Sequence, residues 1–472
     1  MPVSQNHRAP LPHVAPGLAR KLGLFDATMV VMGGIVGAGI FMNPSVVARQ
    51  VHTPLLILGV WVLGGLIALA GAFIYAELAA RLPLVGGQYA YLREAYHPAV
   101  AFLYGWALLL VIETGGMAAV ALTFARYFVE LTGASLSDRT IATAALVVLT
   151  LINCLGVRAG SALQSVLMIM KIMALAALVA CGWLLLGTSS ATFGPVLDRP
   201  VSLDFVASLG SAMVPVLFAY GGWQTANFIA GEVREPRKNL PRGLLLGVGG
   251  VIVLYLAVNL VCARALGAQG LAATSAPASE IMRLALGKKG ATFIAAGIAL
   301  STLGFLSQSI LTAPRVYFAM AEDGLLFSSL AWVSPRTRVP VVAILLEGGW
   351  TIVIALWGRY EQILSYTESI DWLFFGLTAT CLFVFRRREA HRVGSAGGTT
   401  GQPVRGAEHR VAYRVPGHPV TTLLFVGVSW LFVVNTLFKY PRHAAPALAL
   451  VLTGVPVYFL WRWRHSRRMN TG

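Results

Sequence analysis

The chain has 472 residues, of which 57% are hydrophobic and 12% charged. A soluble domain carries about 25% charged residues, so a water-soluble globule is excluded, and with it a disordered chain, a coiled coil and a collagen-like repeat. The net charge of +17 would suggest nucleic acid in a soluble protein, but here Lys and Arg fall in short segments between apolar runs of about twenty residues, the pattern of a polytopic α-helical membrane protein rather than of alternating barrel strands.

Residues 1–23 lack an apolar stretch followed by a cleavage site and read as a short cytoplasmic tail. Ten apolar helices are expected at 24–47, 54–80, 99–129, 140–157, 161–187, 204–230, 241–266, 291–320, 340–357 and 362–386, and a last pair at 420–438 and 444–463. A Gly-rich polar linker occupies 387–419, and 464–472 form a second tail. Twelve spans put both termini on one side. With the N-terminus inside, the inner segments hold 24 Lys and Arg against 11 in the outer ones, which places both termini in the cytoplasm. Cys154, Cys181, Cys262 and Cys381 all lie in apolar runs, without metal-ligand spacing, and read as core thiols.

Two spans carry matching interruptions. The first holds Gly33, Gly34, Gly37 and Gly39; the sixth holds Pro215, Gly221 and Gly222. Glycine is a weak helix former and adopts backbone conformations that other residues avoid. One reading is close helix packing. The other is a pair of broken helices, one in each of two five-helix halves of opposite topology, 24–187 and 204–386. Broken backbone at bilayer depth must face protein or a watery cavity. A half-helix starting near Ala38-Gly39-Ile40 would offer N–H groups and a positive dipole end to a carboxylate, while carbonyls near Gly33–Ile35 and Phe218–Gly221 would accept from an ammonium group. The two together suit a zwitterion at the midplane.

Several strings then point to a family. GAGIF at 37–41, YAELAARLPLVGGQYAYLREAYHP at 75–98, FAYGGWQTANF at 218–228, GEVREPRKNLPRG at 231–243 and SILTAPRVYFAMAEDGLL at 309–326 resemble motifs of the amino acid–polyamine–organocation transporters, above all of their L-type amino acid transporter branch. The resemblance covers about 24–386. It implies that the amides of Gly37, Ala38 and Gly39 hold a substrate carboxylate and that the carbonyls of Ile35, Phe218, Ala219 and Gly221 hold the amino group. It also implies that Phe218 gates the outer side. Gln224 stands where the branch usually has asparagine, Ser307 where the eighth helix often has asparagine, and Ala38 where serine is usual. Lys171, deep in the fifth span, resembles the lysine that replaces a sodium ion in sodium-independent members and braces the first helix against the eighth.

Charges at bilayer depth are costly, roughly 2.5–3.5 kcal/mol on insertion scales, so each is a functional suspect. For Glu113, in the third span, three roles stay open: proton coupling, pairing with a cationic substrate, or a structural contact between helices. Glu347 in the ninth span, beside Gly348 and Gly349, reads as a packing or oligomer contact. The charged loop after the sixth span is either simply solvated or an inner gate, in which Glu232 would pair with Arg81 or Arg93, near Tyr89 of the loop motif.

No metal-binding cluster, no phosphate-binding GxxxxGK[ST] loop and no nucleophile beside a mid-span histidine occur. The expectation is therefore a permease, not an enzyme, without cofactor or metal, in a cell inner membrane. It would move a small amino acid by sodium-independent exchange, Gly115, Gly116 and Ala219 favouring a small side chain. Proton symport through Glu113, a cationic amino acid or polyamine permease, and a channel or receptor are the rivals. Mammalian members of the branch join a heavy subunit through a cysteine between helices three and four. That loop here, LTGASLSDRT, has none, so the resemblance implies no disulfide-linked partner.

Overall fold

The computed structural model describes residues 18–186, 196–197, 199–357, 360–396, 412–439 and 448–470. The tail up to residue 17, residue 187 of the fifth expected span, 397–411 of the linker, 444–447 of the last span and the final two residues lie outside them. The described chain is helical; its one β element is an isolated parallel bridge between Leu22 and Val233. Among the described residues, seven helices are long and apolar enough to cross a membrane, or eight if one bent pair counts as a span. The protein is a multi-pass membrane protein.

The first expected span is that bent pair, α1 (Leu24–Ile35) and α2 (Gly39–Ala48), inclined by 42°. There follow α3 (Pro54–Arg81), a short α4 (Gln88–Ala95), α5 (Pro98–Ala107) and α6 (Glu113–Thr132). Between α5 and α6 a π-helical turn covers Leu108–Ile112, and the Thr114 hydroxyl donates to its Leu109 carbonyl at 2.7 Å. Next come α7 (Asp138–Cys154) and α8 (Val157–Leu184).

The sixth expected span is α9 (Leu203–Ala219), broken at Tyr220–Gly222 and continued as a tight 3-10 segment, Trp223–Glu232. Then come α10 (Pro236–Ala273), α11 (Pro277–Thr312), α12 (Pro314–Glu322), α13 (Val341–Trp357), α14 (Tyr360–Ala396), α15 (Val420–Lys439) and α16 (Gly454–Asn470).

Two boundaries differ from expectation for one reason. The helices at 241–266 and 291–320 each run on into a further helix, bent at Gly267 (φ 64°) and Gly287 (φ 66°). Lys288 and Lys289 make the second junction look like a loop end in the sequence. In the structure they sit on helical backbone beyond the kink.

The two breaks meet. Gly222 has φ +93°, a conformation that favours glycine. A Cβ there would lie 2.2 Å from the Gly34 carbonyl oxygen, and one on Gly34 would lie 2.6 Å from the Gly222 oxygen. The unwound segments therefore cross backbone to backbone, with no room for a side chain between them. Close by, Asn43 of α2 donates to the Pro215 carbonyl of α9 at 2.7 Å.

A second link joins the same two spans lower down. Lys21 and Leu22 both donate backbone N–H groups to the Glu232 carbonyl, at 2.9 and 3.0 Å, and Arg234 returns one to Leu22 at 2.8 Å. At the far end of α3, the buried Glu77 carboxylate is gripped by Arg386 at 3.0 and 2.6 Å, by Arg81 and by the Val415 amide at 2.6 Å.

Gly222→Ala forces both a left-handed alanine and a backbone overlap. It should lower unfolding stability by about 1–3 kcal/mol, read as a lower melting temperature of the detergent-solubilised protein. Gly349→Ala, where an added Cβ meets nothing within 4 Å, should leave the melting temperature unchanged.

Candidate functional site: the crossing of two broken helices

Around the crossing most residues are buried, but Gly37, Ala38, Gly39, Gly221 and Gly222 are partly open and Phe218 is 38% exposed. The backbone of both breaks is therefore reachable from outside the packed bundle at these positions. The N-cap of α2 is Ala38, which has no side chain to bond the first-turn amides. Phe41 N–H donates to the Ala38 carbonyl at 3.1 Å, but the Gly39 and Ile40 N–H groups have no intrahelical acceptor by geometry, and they sit at the positive end of the helix dipole. The arrangement can hold an anionic group without any charged side chain.

The carbonyl side is more occupied than the sequence suggests. The Tyr255 hydroxyl of α10 lies 3.1 Å from the Ile35 oxygen and 3.2 Å from the Ala219 oxygen, and so bridges the two breaks. The Phe218 oxygen accepts from the Gly221 amide at 3.1 Å. Each carbonyl retains a second lone pair, so a cationic donor can still be accepted.

Gly39 packs on Ala219, an added Cβ there lying 3.4 Å from Ala219 Cβ, and Tyr255 links Ala219 to Ile35. Gln224 is 4% exposed and its Oε1 has no partner among the described residues. Ser307 is fully buried, and its hydroxyl likewise lacks a partner.

Lys171 of α8 is fully buried. Its ammonium donates to the Val36 carbonyl at 2.6 Å and approaches the Gly33 oxygen at 3.4 Å. It thus satisfies carbonyls that the end of α1 leaves open. From α11, the Ser301 hydroxyl reaches Gly37 O at 3.1 Å. Also on α11, Gly304 makes room for the lysine: a Cβ there would lie 2.4 Å from Lys171 Cε.

A polar relay supports the sixth-span break. Gln308 Nε2 donates to Thr225 Oγ1 at 2.6 Å, and Thr225 donates to the Gly222 carbonyl at 2.8 Å. Tyr255, Gln308, Thr225, Ser301 and Gly304 were not singled out by the sequence. Tyr255, Gln308, Ser301 and Gly304 are polar or small residues within long apolar helices and Thr225 lies in the 3-10 segment; only the fold brings them to the crossing.

The charged groups pair differently from expectation. Glu232 does not join Arg81 or Arg93. Its carboxylate takes a two-point contact from Arg315 of α12, Nε to Oε2 and Nη2 to Oε1, both 3.0 Å, with both side chains buried. Arg81 belongs instead to Glu77 and Glu389, and Arg93 to Asp323. Glu232 lies beyond Arg81 because the 3-10 segment turns it inward, onto the start of α12.

Tyr89 is buried and donates to Asp323 at 2.6 Å. Burial, and then the Asp323 carboxylate, push its phenol far above the usual range, so it stays a donor at physiological pH. Glu113 is buried too, but it faces Ser309 rather than the crossing. Glu347 is fully buried within the chain and so is no oligomer contact. Among the described residues no group of three His, Cys, Asp or Glu side chains is arranged to hold a metal.

A multi-pass helical bundle whose two broken helices meet in a partly open, backbone-lined crossing defines a membrane transport protein of the discontinuous-helix class. The chain belongs to the amino acid permease family, whose model matches residues 22–460. It is 30% identical to the large neutral amino acids transporter small subunit 2 of mouse, over 95% of this chain and 82% of that protein. It is also 30% identical to mouse Asc-type amino acid transporter 1, over 94% and 82%, and 28% identical to the serine/threonine exchanger SteT of Bacillus subtilis, over 94% and 97%. These relatives are transporters, and amino acid transport rather than catalysis is the work of the family.

Replacing Arg315 with Met leaves Glu232 buried and unpaired. That should cost about 3–5 kcal/mol of unfolding stability, whereas Arg315→Met with Glu232→Gln should recover most of it. Denaturant unfolding of the single and double variants measures the difference.

Proposed function

We propose that the protein exchanges small amino acids across a cell inner membrane by alternating access, without sodium, and with both termini in the cytoplasm. In this reading twelve spans are arranged as inverted halves, 24–187 and 204–386, followed by the pair at 420–463. The carboxylate of the substrate binds the amides of Gly37, Ala38 and Gly39. Its ammonium binds the free lone pairs of Ile35, Phe218, Ala219 and Gly221, with Gln224 near the side chain. Phe218, the most open aromatic residue of the crossing, closes the outer side. The inner gate is the buried Glu232–Arg315 pair, while Tyr89, held on Asp323, and Arg81, held on Glu77 and Glu389, form separate polar contacts on the inner side.

The observation that carries sodium independence is the Lys171 ammonium, 2.6 Å from the Val36 carbonyl. A fixed cation there does the work of a bound ion: it neutralises the end of the unwound segment and ties it to α8, with α11 packed close enough that only glycine fits at 304. The exchanger relative from Bacillus subtilis supports exchange as the transport mode. The loop between the third and fourth spans has no cysteine, which supports activity without a disulfide-linked subunit.

In sealed vesicles, labelled serine should enter only when unlabelled amino acid is already inside, and equally well in sodium and in choline buffer. Lys171→Ala should reduce this exchange by at least about tenfold, the scale of a lost buried charge contact, and Gly304→Ala should do the same by displacing the lysine. Entry into empty vesicles driven by a pH gradient would instead establish proton symport, and a requirement for sodium would overturn the assigned role of Lys171.

A further inference from the structure

Away from the crossing, α6 and α13 run side by side. Thr351 of α13 meets Met117 of α6, Oγ1 to Sδ 3.9 Å. Glu113 and Glu347 each lie one helical turn before that contact, and the two carboxyls act on one another. The seam therefore brings two acidic side chains from different helices into one another's electrostatic reach. Glu347 is fully buried, and neither of its carboxyl oxygens has a hydrogen-bond partner among the described residues. An ionised carboxylate left so is far too costly to persist without a compensating charge or a proton.

The groups around the pair come from every neighbouring element. Tyr317 of α12 faces both carboxyls, Tyr104 of α5 faces Glu113 and also Asp371 of α14, and Ser309 of α11 faces Glu113. The nearest cation is Arg315 of α12, which acts on Glu347 and also on Cys154 of α7. The segment Ser328–Ala331 brings no titratable group. Arg315 spends Nε and Nη2 on Glu232, but its Nη1 is buried and without a partner among the described residues. One guanidinium thus stands between the gate carboxylate and an unpaired buried carboxyl.

We propose that Glu113 and Glu347 form a proton-binding site that sets the strength of the Glu232–Arg315 gate. With a proton on Glu347, Arg315 stays fully on Glu232 and the gate holds. When that proton passes to water, the Glu347 carboxylate draws Nη1 of Arg315, the hold on Glu232 loosens, and the inner side opens more readily. The pair titrates as a unit, and no proton need travel with the substrate. The gate and the rate readout rest on the transport reading; the proton site itself does not.

The test uses the full-length protein in liposomes loaded with unlabelled serine, with labelled serine outside and equal pH on both sides. Wild-type exchange should rise by at least about threefold from acid to mildly alkaline pH, as a single linked titration requires. Glu347→Gln should flatten that profile at the acid-end rate. Glu113→Gln, which removes the like-charged neighbour, should keep the rise but move its midpoint to lower pH. A flat wild-type profile, or a Glu347→Gln variant that follows the wild type, would overturn the proposal. Infrared spectra of the same proteins provide a readout that needs no transport. A protonated-carboxyl band should be present in acid, fade on alkalinisation and be missing from the Glu113→Gln/Glu347→Gln double variant. If that band is the same in the double variant as in the wild type, the site does not exist. If the band behaves as stated while wild-type serine exchange is absent at every pH, the proton site stands and the transport reading fails.

Discussion

Backbone groups that hydrocarbon cannot satisfy are the constraint on which this structure depends. Two helices stop within the bundle, and their open N–H and C=O groups must find partners there. The solution is a division of labour. The Lys171 ammonium takes Val36 and Gly33, the Tyr255 hydroxyl bridges Ile35 and Ala219, Ser301 takes Gly37, and the Gln308–Thr225 relay takes Gly222. What these groups leave over are the first amides of α2 and the second lone pairs of the carbonyls, a donor pole and an acceptor pole. In the proposed function, substrate recognition is thus the remainder of a structural problem and needs no charged side chain in the opening.

The same logic accounts for the placement of charge. Ionic groups inside the bundle are buried in pairs or networks, because a lone buried charge is far more costly than a matched one. Glu77 collects two arginines and an amide, and so binds the end of α3 to α14 and to the residues before α15. Glu232 and Arg315 tie the segment after the sixth-span break to the start of α12. Lys171 is held by carbonyls instead. Glu347 is a buried carboxyl with no hydrogen-bond partner among the described residues, and Nη1 of the nearest guanidinium, Arg315, likewise lacks one.

Much of this was legible in the sequence, and the limits have physical causes. Composition and the twenty-residue apolar period fix the class, and clustered glycines mark both breaks, because glycine alone tolerates the backbone contact between Gly34 and Gly222. Lys171 stood out because a charge flanked on both sides by an apolar run has few excuses. Tyr255 and Gln308 did not, since a tyrosine or glutamine in a long membrane helix carries no local sign of what it bonds. The partner of Glu232 was missed because reach was judged along the chain: the 3-10 continuation turns the carboxylate toward α12, away from Arg81 and Arg93. Helix ends at Gly267 and Gly287 were misjudged because the backbone kinks at each glycine and then continues as helix, instead of stopping.

The parallel bridge of Leu22 and Val233 carries one more consequence. Three main-chain bonds clasp the entry of α1 to the exit of the 3-10 segment, just where the two broken spans leave their crossing. Joined at that end and interlocked at Gly34 and Gly222, the two strands of the core form a closed frame. Any tilting that admits solvent from this face must then either carry the frame as a rigid unit against its scaffold or unzip the clasp first, so the choice between rocking and peeling is made by three peptide groups.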